Sequence, residues 1–345
     1  MYRLDVNENW VKGSLHCHST SSDGFLSPKE VADYYVSRGY GLVAVTDHGK
    51  ITTDCINSKE GTFLTGIEIS KGEGKLKEPY HIVGLGVEDP RLNNLSSPSE
   101  IIDEINSAGG LAIIAHPSWS SLVHEDLTAL KGYVGIEVYN TGCDVEVAKG
   151  YATTHWDHLL SSGVECWGFA VDDAHRYFVP PIDADMGWIC LQNTSSPERA
   201  IELLRTGQFY SSTGPAIKAL EMSNSLVRLK STPVTRVNVV SHNGKGICID
   251  IDNLRWLLRA WKKPVERQRM TRMYSSVEAN IEDKITTAFL DSKAWKAKIV
   301  FNSKGIEQLE IESRVFSKYI RVEALDKRGK TAWTKPIHIH EKAML

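Results

Sequence analysis

The sequence predicts an α/β fold followed by a β-rich part, and three observations carry that reading. From residue 13 to about 213, short β-rich runs alternate with helical segments, the pattern of a parallel sheet or barrel. Three helices in that stretch open on the same serine-proline signature. After Pro215 the texture changes to short strands joined by hairpin signals. A chain of 345 residues has room for two domains, and the change of texture divides it into 1–213 and 214–345.

Strands of the first part are expected near 13–18, 40–46, 63–69, 80–86, 111–115, 133–139, 165–171 and 187–192. The runs SPKE (27–30), SPSE (97–100) and SPER (196–199) each offer a serine N-cap, proline at the first helical position and an acidic residue in the first turn. Gly39, Gly109 and Gly207 stand where a left-handed C-terminal cap is needed, so these helices run for about ten residues. The later part reads as a separate β-sandwich, with turns at Asn243-Gly244 and at DKRGK (326–330). Within it, a basic helical insertion is expected near 253–275. There NLRWLLRAWKKPVERQRMTRMY carries seven basic residues against one glutamate, an amphipathic surface helix broken at Pro264.

Composition narrows the function classes. Hydrophobic residues make up 41% and charged residues 24%, as in ordinary globular proteins. Forty basic residues against 43 acidic ones, a net charge of −3, give no whole-molecule attraction to nucleic acid or an anionic membrane. No apolar run approaches the roughly 20 residues of a membrane span. The polar N-terminus does not read as a signal peptide, so a cytoplasmic protein is expected. The six cysteines (Cys17, Cys55, Cys143, Cys166, Cys190 and Cys248) form no C-x-x-C pair, which argues against disulfides and thiolate metal sites.

Chemistry gathers at the strand ends. In LHCHSTSSDGFLSP (15–28), an extended backbone places His16 and His18 on one side and Cys17 on the other. Two converging imidazoles suit zinc, iron or manganese. LVAVT runs into Asp47 and His48, FLTGI into Glu68, LAIIA into His116, and CWGFAV into Asp172, Asp173 and His175, while His81 opens HIVGLGV. In barrels of parallel strands and helices such residues meet in one cleft. Six of the 12 histidines fall on these landmarks, and a buried cluster of imidazoles and carboxylates is costly without a cation.

The ordered set H-x-H, Asp-Gly, T-D-H, G-x-E, H, H-P and D-A-H resembles the polymerase-and-histidinol-phosphatase (PHP) superfamily of metal-dependent phosphoesterases over about 13–213. IEVYN, WDHLLSSG and the run from GWICLQN to FYSSTGP are similar to its carbaryl-hydrolase-like (CehA/McbA) branch. The resemblance implies a distorted (β/α)7-type PHP barrel with two or three divalent ions and no other cofactor. His16, His18, Glu68 and Asp173 would hold one ion. Glu68 would bridge to a second, held also by His81 and His116, while Asp23, His48 and His175 would hold a third.

Several neighbours carry two readings. Asp47 either orients a ligand or caps its strand end, and Arg176 is either a bidentate phosphate clamp or a surface arginine. Lys50 shares that ambiguity. His124, His155, His158, His242, His338 and His340 read as structural or exposed. The expected function is hydrolysis of a small phosphorylated metabolite or nucleotide by a hydroxide bridging two ions. Alternatives are hydrolysis of a carbamate, amide or other ester at the same ions, a nuclease, and a non-catalytic metal-stabilised binding protein.

Overall fold

A computed structural model describes residues 1–53 and 61–339; Cys55 and His340 lie outside the described residues. The chain is mixed α/β with eight α-helices among the described residues, and it divides into two compact units. One is Glu8–Thr213; the other joins Met1–Asn7 to Gly214–Leu345. The first seven residues thus depart from the expected 1–213 grouping, because β1 (Tyr2–Asp5) pairs antiparallel with the strand Ile217–Met222.

Along the first unit run β2 (Trp10–Ser14), α1 (Pro28–Val36), β3 (Tyr40–Val45), β4 (Thr62–Lys71), β5 (Tyr80–Leu85), α2 (Pro98–Ser107), β6 (Leu111–Ile114), α3 (His124–Ala129), β7 (Gly135–Asn140), α4 (Thr141–Val147), α5 (Thr153–Ser161), β8 (Trp167–Val171), β9 (Trp188–Gln192), α6 (Pro197–Arg205) and β10 (Phe209–Ser212). The strand order is β10-β9-β2-β3-β4-β5-β6-β7-β8. Three helices open as their sequences direct. Ser27, Ser97 and Ser196 accept from the backbone N–H three residues on, and Glu30 closes a capping box with Ser27. The core beneath the strands is aliphatic and aromatic, with Leu42, Leu64, Ile113, Phe169 and Leu204 all buried.

The expected parallel pattern needs correction at β9, which is antiparallel to β2 and β10, and at β5, beside the site. β2, β3 and β4 run parallel, as do β6, β7 and β8, but β5 is antiparallel to both β4 and β6. No crossover helix lies between β4 and β5, and a short connection returns the chain antiparallel. The start of β5, where His81 stands, therefore lies beside the carboxyl end of β4.

The second unit contains β11 (Ile217–Met222), β12 (Leu226–Val234), β13 (Arg236–Ser241), β14 (Gly246–Asp250), α7 (Ile251–Ala260), α8 (Pro264–Met270), β15 (Tyr274–Glu282), β16 (Ile285–Ser292), β17 (Trp295–Phe301), β18 (Ile306–Ser313), β19 (Tyr319–Leu325), β20 (Thr331–Thr334) and β21 (Ile337–His338). One sheet has the order β1-β11-β12-β18-β17-β16-β15; β14, β13, β19 and β20 form another run, with β21 on β19. The basic insertion is two helices, with Pro264 at the start of α8. No helix among the described residues is long and apolar enough to cross a membrane.

Candidate metal centre

β2 ends at Ser14, earlier than the expected 13–18, yet the alternation continues. His18 N donates to Ala174 O, Asp173 N donates to His16 O, and Thr46 N donates to Cys17 O, so residues 16–18 stay extended between their neighbours. His16 and His18 consequently share one side, their Nε2 atoms 3.2 Å apart. Cys17 turns to the other side, where its thiol donates to Ala44 O at 3.3 Å.

Three groups of side chains could each hold an ion. His16, His18, Glu68 and Asp173 form the first, wholly buried; His18 Nε2 lies 3.1 Å from Asp173 Oδ1, and His16 Nε2 lies 3.3 Å from Glu68 Oε2. Glu68, His81 and His116 form the second, with Glu68 Oε1 at 2.8 Å from His81 Nδ1 and 3.2 Å from His116 Nε2. The third gathers Asp23, His48 and His175 with His18, whose Nδ1 is 3.8 Å from Asp23 Oδ1. Asp23 and His48 are exposed, so burial falls from the first group to the third.

Glu68 is the hub. Its Oε1 faces His81 and His116; its Oε2 has His16, His18 and His48 nitrogens within 3.3 Å, yet this buried oxygen has no hydrogen-bond partner. An orphaned carboxylate oxygen ringed by imidazoles fits a divalent ion, which would satisfy it where the side chains do not. The remaining imidazole nitrogens support the same fit. His16 Nδ1 donates to Glu137 Oε1 at 2.6 Å, and His175 Nδ1 donates to Asp173 O at 2.9 Å. His81 Nε2 and His116 Nδ1 are hydrogen-bonded to Ser70 Oγ and Ser120 Oγ, each at 3.1 Å. Each ring therefore offers its other nitrogen to the cluster, the usual arrangement around a metal.

Electrostatics among these side chains follow from this crowding. Burial pushes the His18 pKa down, but the hydrogen bond with Asp173 and the charges of Glu68 and Asp173 outweigh it and raise it to about 9. Burial works against ionised Glu68 too, yet the His16 charge and the hydrogen bond from His116 hold its pKa well below the usual range. The backbone is also unusual here, since His116 (φ 25°) and Asp173 (φ 54°) sit in the left-handed region, which disfavours most side chains.

Asp47 and Arg176 have different surroundings. Asp47 does not line the cleft. Its carboxylate is buried and accepts from Ser19 N and Oγ, Ser22 Oγ and Thr52 Oγ1, so it organises the loop beside His18 rather than acting on a substrate. Arg176 does line the cleft, but its guanidinium donates to Glu146 Oε1 at 2.5 Å and to Pro181 O at 3.2 Å. Lys50 is taken up by Ser21 O at 2.7 Å. His155 donates to Leu122 O, and His124 and His158 stack edge-on outside the three groups.

Glu137 escaped the sequence reading. Besides His16, it accepts from His116 N at 2.8 Å and Asn140 Nδ2 at 2.9 Å, tying two ligand groups to one carboxylate. Its signal was a single acid in GIEVYN, a strand otherwise ready for complete burial. The cleft above the groups, ≈ 380 Å³, is completed by Phe25, Trp119, Gly142, Cys143, Glu146 and Arg176. Burial raises the Cys143 thiol pKa, which keeps it protonated and a poor nucleophile.

No family model matches the chain. Over 95 residues it is 40% identical to the 3',5'-nucleoside bisphosphate phosphatase of Chromobacterium violaceum, a match covering 26% of this chain and 32% of that protein. Over 101 residues it is 35% identical to a 5'-3' exoribonuclease of Haemophilus influenzae, covering 27% and 36% respectively. The chain thus spans about a third of the length of these curated relatives. A two-domain protein from Bacteroides vulgatus containing a predicted PHP-like metal-dependent phosphoesterase has the same fold, with a TM-score of 0.50 and 14% identity over 98% of this chain and 99% of that one. The chain thus shares its fold with that two-domain protein and, over about a quarter of its length, its sequence with the two curated relatives.

Proposed function

We propose that the protein is a metal-dependent phosphoesterase that releases phosphate from a small phosphorylated metabolite or nucleotide. The observation that carries this reading is Glu68, whose two oxygens face separate imidazole groups and whose Oε2 lacks a hydrogen bond. His16, His18, Glu68 and Asp173 would hold one divalent ion, Glu68, His81 and His116 a second, and Asp23, His48 and His175 a third. When bound, the ions supply an acidified water as nucleophile and positive charge for the phosphate oxygens. Glu137 aims His16, and Ser70 and Ser120 aim His81 and His116. Trp119, edge-on to His81 and His116, walls the cleft against bulk water. We read Glu8–Thr213 as a distorted (β/α)7-type barrel and the β-rich unit as a sandwich-like domain. The named activities of the bisphosphate phosphatase and the exoribonuclease support phosphate ester cleavage.

The test is phosphate release from sugar phosphates, mononucleotides, nucleoside bisphosphates and histidinol phosphate on manganese-loaded protein, with a chelated control. Release that vanishes with chelator is expected; none from a folded, loaded sample overturns the reading. One observation favours a second reading, hydrolysis of an uncharged carbamate or amide as in the CehA/McbA branch. Arg176, the one lysine or arginine lining the cleft among the described residues, has its charge met by Glu146. Turnover of an aryl carbamate without phosphate release would select it.

A further inference from the structure

We propose that Glu146 and Arg176 form a charge-selecting pair in the wall of the cleft, which accepts a phosphate ester whose remaining part is uncharged and hydroxyl-bearing and disfavours one carrying a second phosphate. The proposal rests on the phosphoesterase reading and sharpens its substrate class. Asn140 caps α4 by accepting from Cys143 N at 2.9 Å, and one helical turn then brings Cys143 and Glu146, three residues apart, to the same side of the cleft. Arg176 is fixed from the other side. The buried Asp183 carboxylate accepts from the backbone N–H groups of His175, Arg176 and Tyr177, which sets the Arg176 backbone immediately after a member of the third ligand group.

The guanidinium consequently lies between two carboxylates. Nη2 donates to Glu146 Oε1 at 2.5 Å, and Nε stands 3.6 Å from Asp183 Oδ2. Arg176 Nη1 and Glu146 Oε2 make no hydrogen bond among the described residues, and the side chains remain 22% and 45% exposed, within reach of a ligand. A hydroxyl can donate to Glu146 Oε2 and accept from Arg176 without disturbing either charge. A second phosphate must separate the pair or lie beside the Glu146 carboxylate, and like charges in contact strongly disfavour the wrong partner.

The experiment uses two phosphonates that cannot be hydrolysed and differ by one anionic group, propylphosphonate and propane-1,3-bisphosphonate. Calorimetry measures their binding to manganese-loaded protein at matched free manganese, for the wild type, Glu146→Gln and Glu146→Gln/Arg176→Ala. The wild type is expected to bind the bisphosphonate no more tightly than the monophosphonate. Glu146→Gln is expected to shift the affinity ratio about tenfold toward the bisphosphonate, and the double variant to lose that shift. A wild-type preference for the bisphosphonate, or a ratio unmoved by Glu146→Gln, overturns the proposal while leaving the phosphoesterase reading intact. Binding of neither phosphonate by folded, loaded protein overturns both.

Discussion

Glu68 on β4 and Glu310 on β18 are both strand carboxylates facing basic groups, but their surroundings differ. Glu68 is 1% exposed, with five imidazole nitrogens between 2.8 and 3.3 Å and an oxygen left without a hydrogen bond. Glu310 keeps 37% of its side chain exposed and accepts from Arg228 at 3.0 and 3.3 Å. The difference holds across their units. The first buries His16, His18, Asp47, Glu68, Glu137, Asp172, Asp173 and Asp183, whereas the second mostly pairs its charges at the surface, as in Arg228–Glu221 and Lys296–Asp291. Charge collected inside a core with incomplete satisfaction marks a place where something else binds. Charge paired in water marks a solvated sheet face.

The sharpest way to break that contrast is Glu68→Ala. Removal of the shared carboxylate should lower chelator-sensitive phosphate release by about 10³-fold or more, with less bound manganese and an unchanged circular dichroism spectrum. A variant that retains full activity and metal would sink the hub role. Next in size is Glu137→Gln, which keeps the shape but weakens the hold on His16 Nδ1. Loss of such a supporting group costs about 10–100-fold in metal affinity or activity. Manganese titration followed by metal analysis separates this from misfolding, because excess metal should restore part of the activity.

The chemical landmarks of the first unit were legible because they are local. H-x-H in extended backbone, a serine-proline start to a helix and a glycine after its end each act over a few residues, and His16, His18, Ser27 and Gly39 stand where those rules place them. What escaped depends on contacts far apart in sequence. Glu137 and His16 are separated by 121 positions, and nothing local distinguishes Glu137 from any acid on a strand. Arg176 and Glu146 likewise face each other across 30 positions, so the sequence could offer a clamp but not its neutralisation. The return of β5 shows the same limit at the level of topology. Alternating strands and helices suggested parallel pairing, but the missing crossover between β4 and β5 reverses it there, and β9 runs antiparallel to β2 and β10.

Two smaller effects sharpen the comparison without touching turnover. In the metal-free protein the folded His18 pKa of about 9 lies above its ordinary 6.5, so its contribution to stability is fully present below about pH 6.5 and is lost as pH rises through 9. The melting temperature of chelated protein should therefore fall between those pH values. Manganese should reverse the trend, because ion binding favours neutral imidazole. A flat chelated profile would show that the cluster does not hold His18 protonated.

The smallest effect belongs to the other unit. Arg228 bridges Glu310 and Glu221 across neighbouring strands, yet all three side chains reach solvent, where water already stabilises each charge and salt screens their attraction. Arg228→Ala should leave the melting temperature within experimental error and leave phosphate release unchanged. A drop of several degrees would mean that this sheet face is dried by another surface, and the contrast between a binding core and a solvated face would then fail in the unit where it looks plainest.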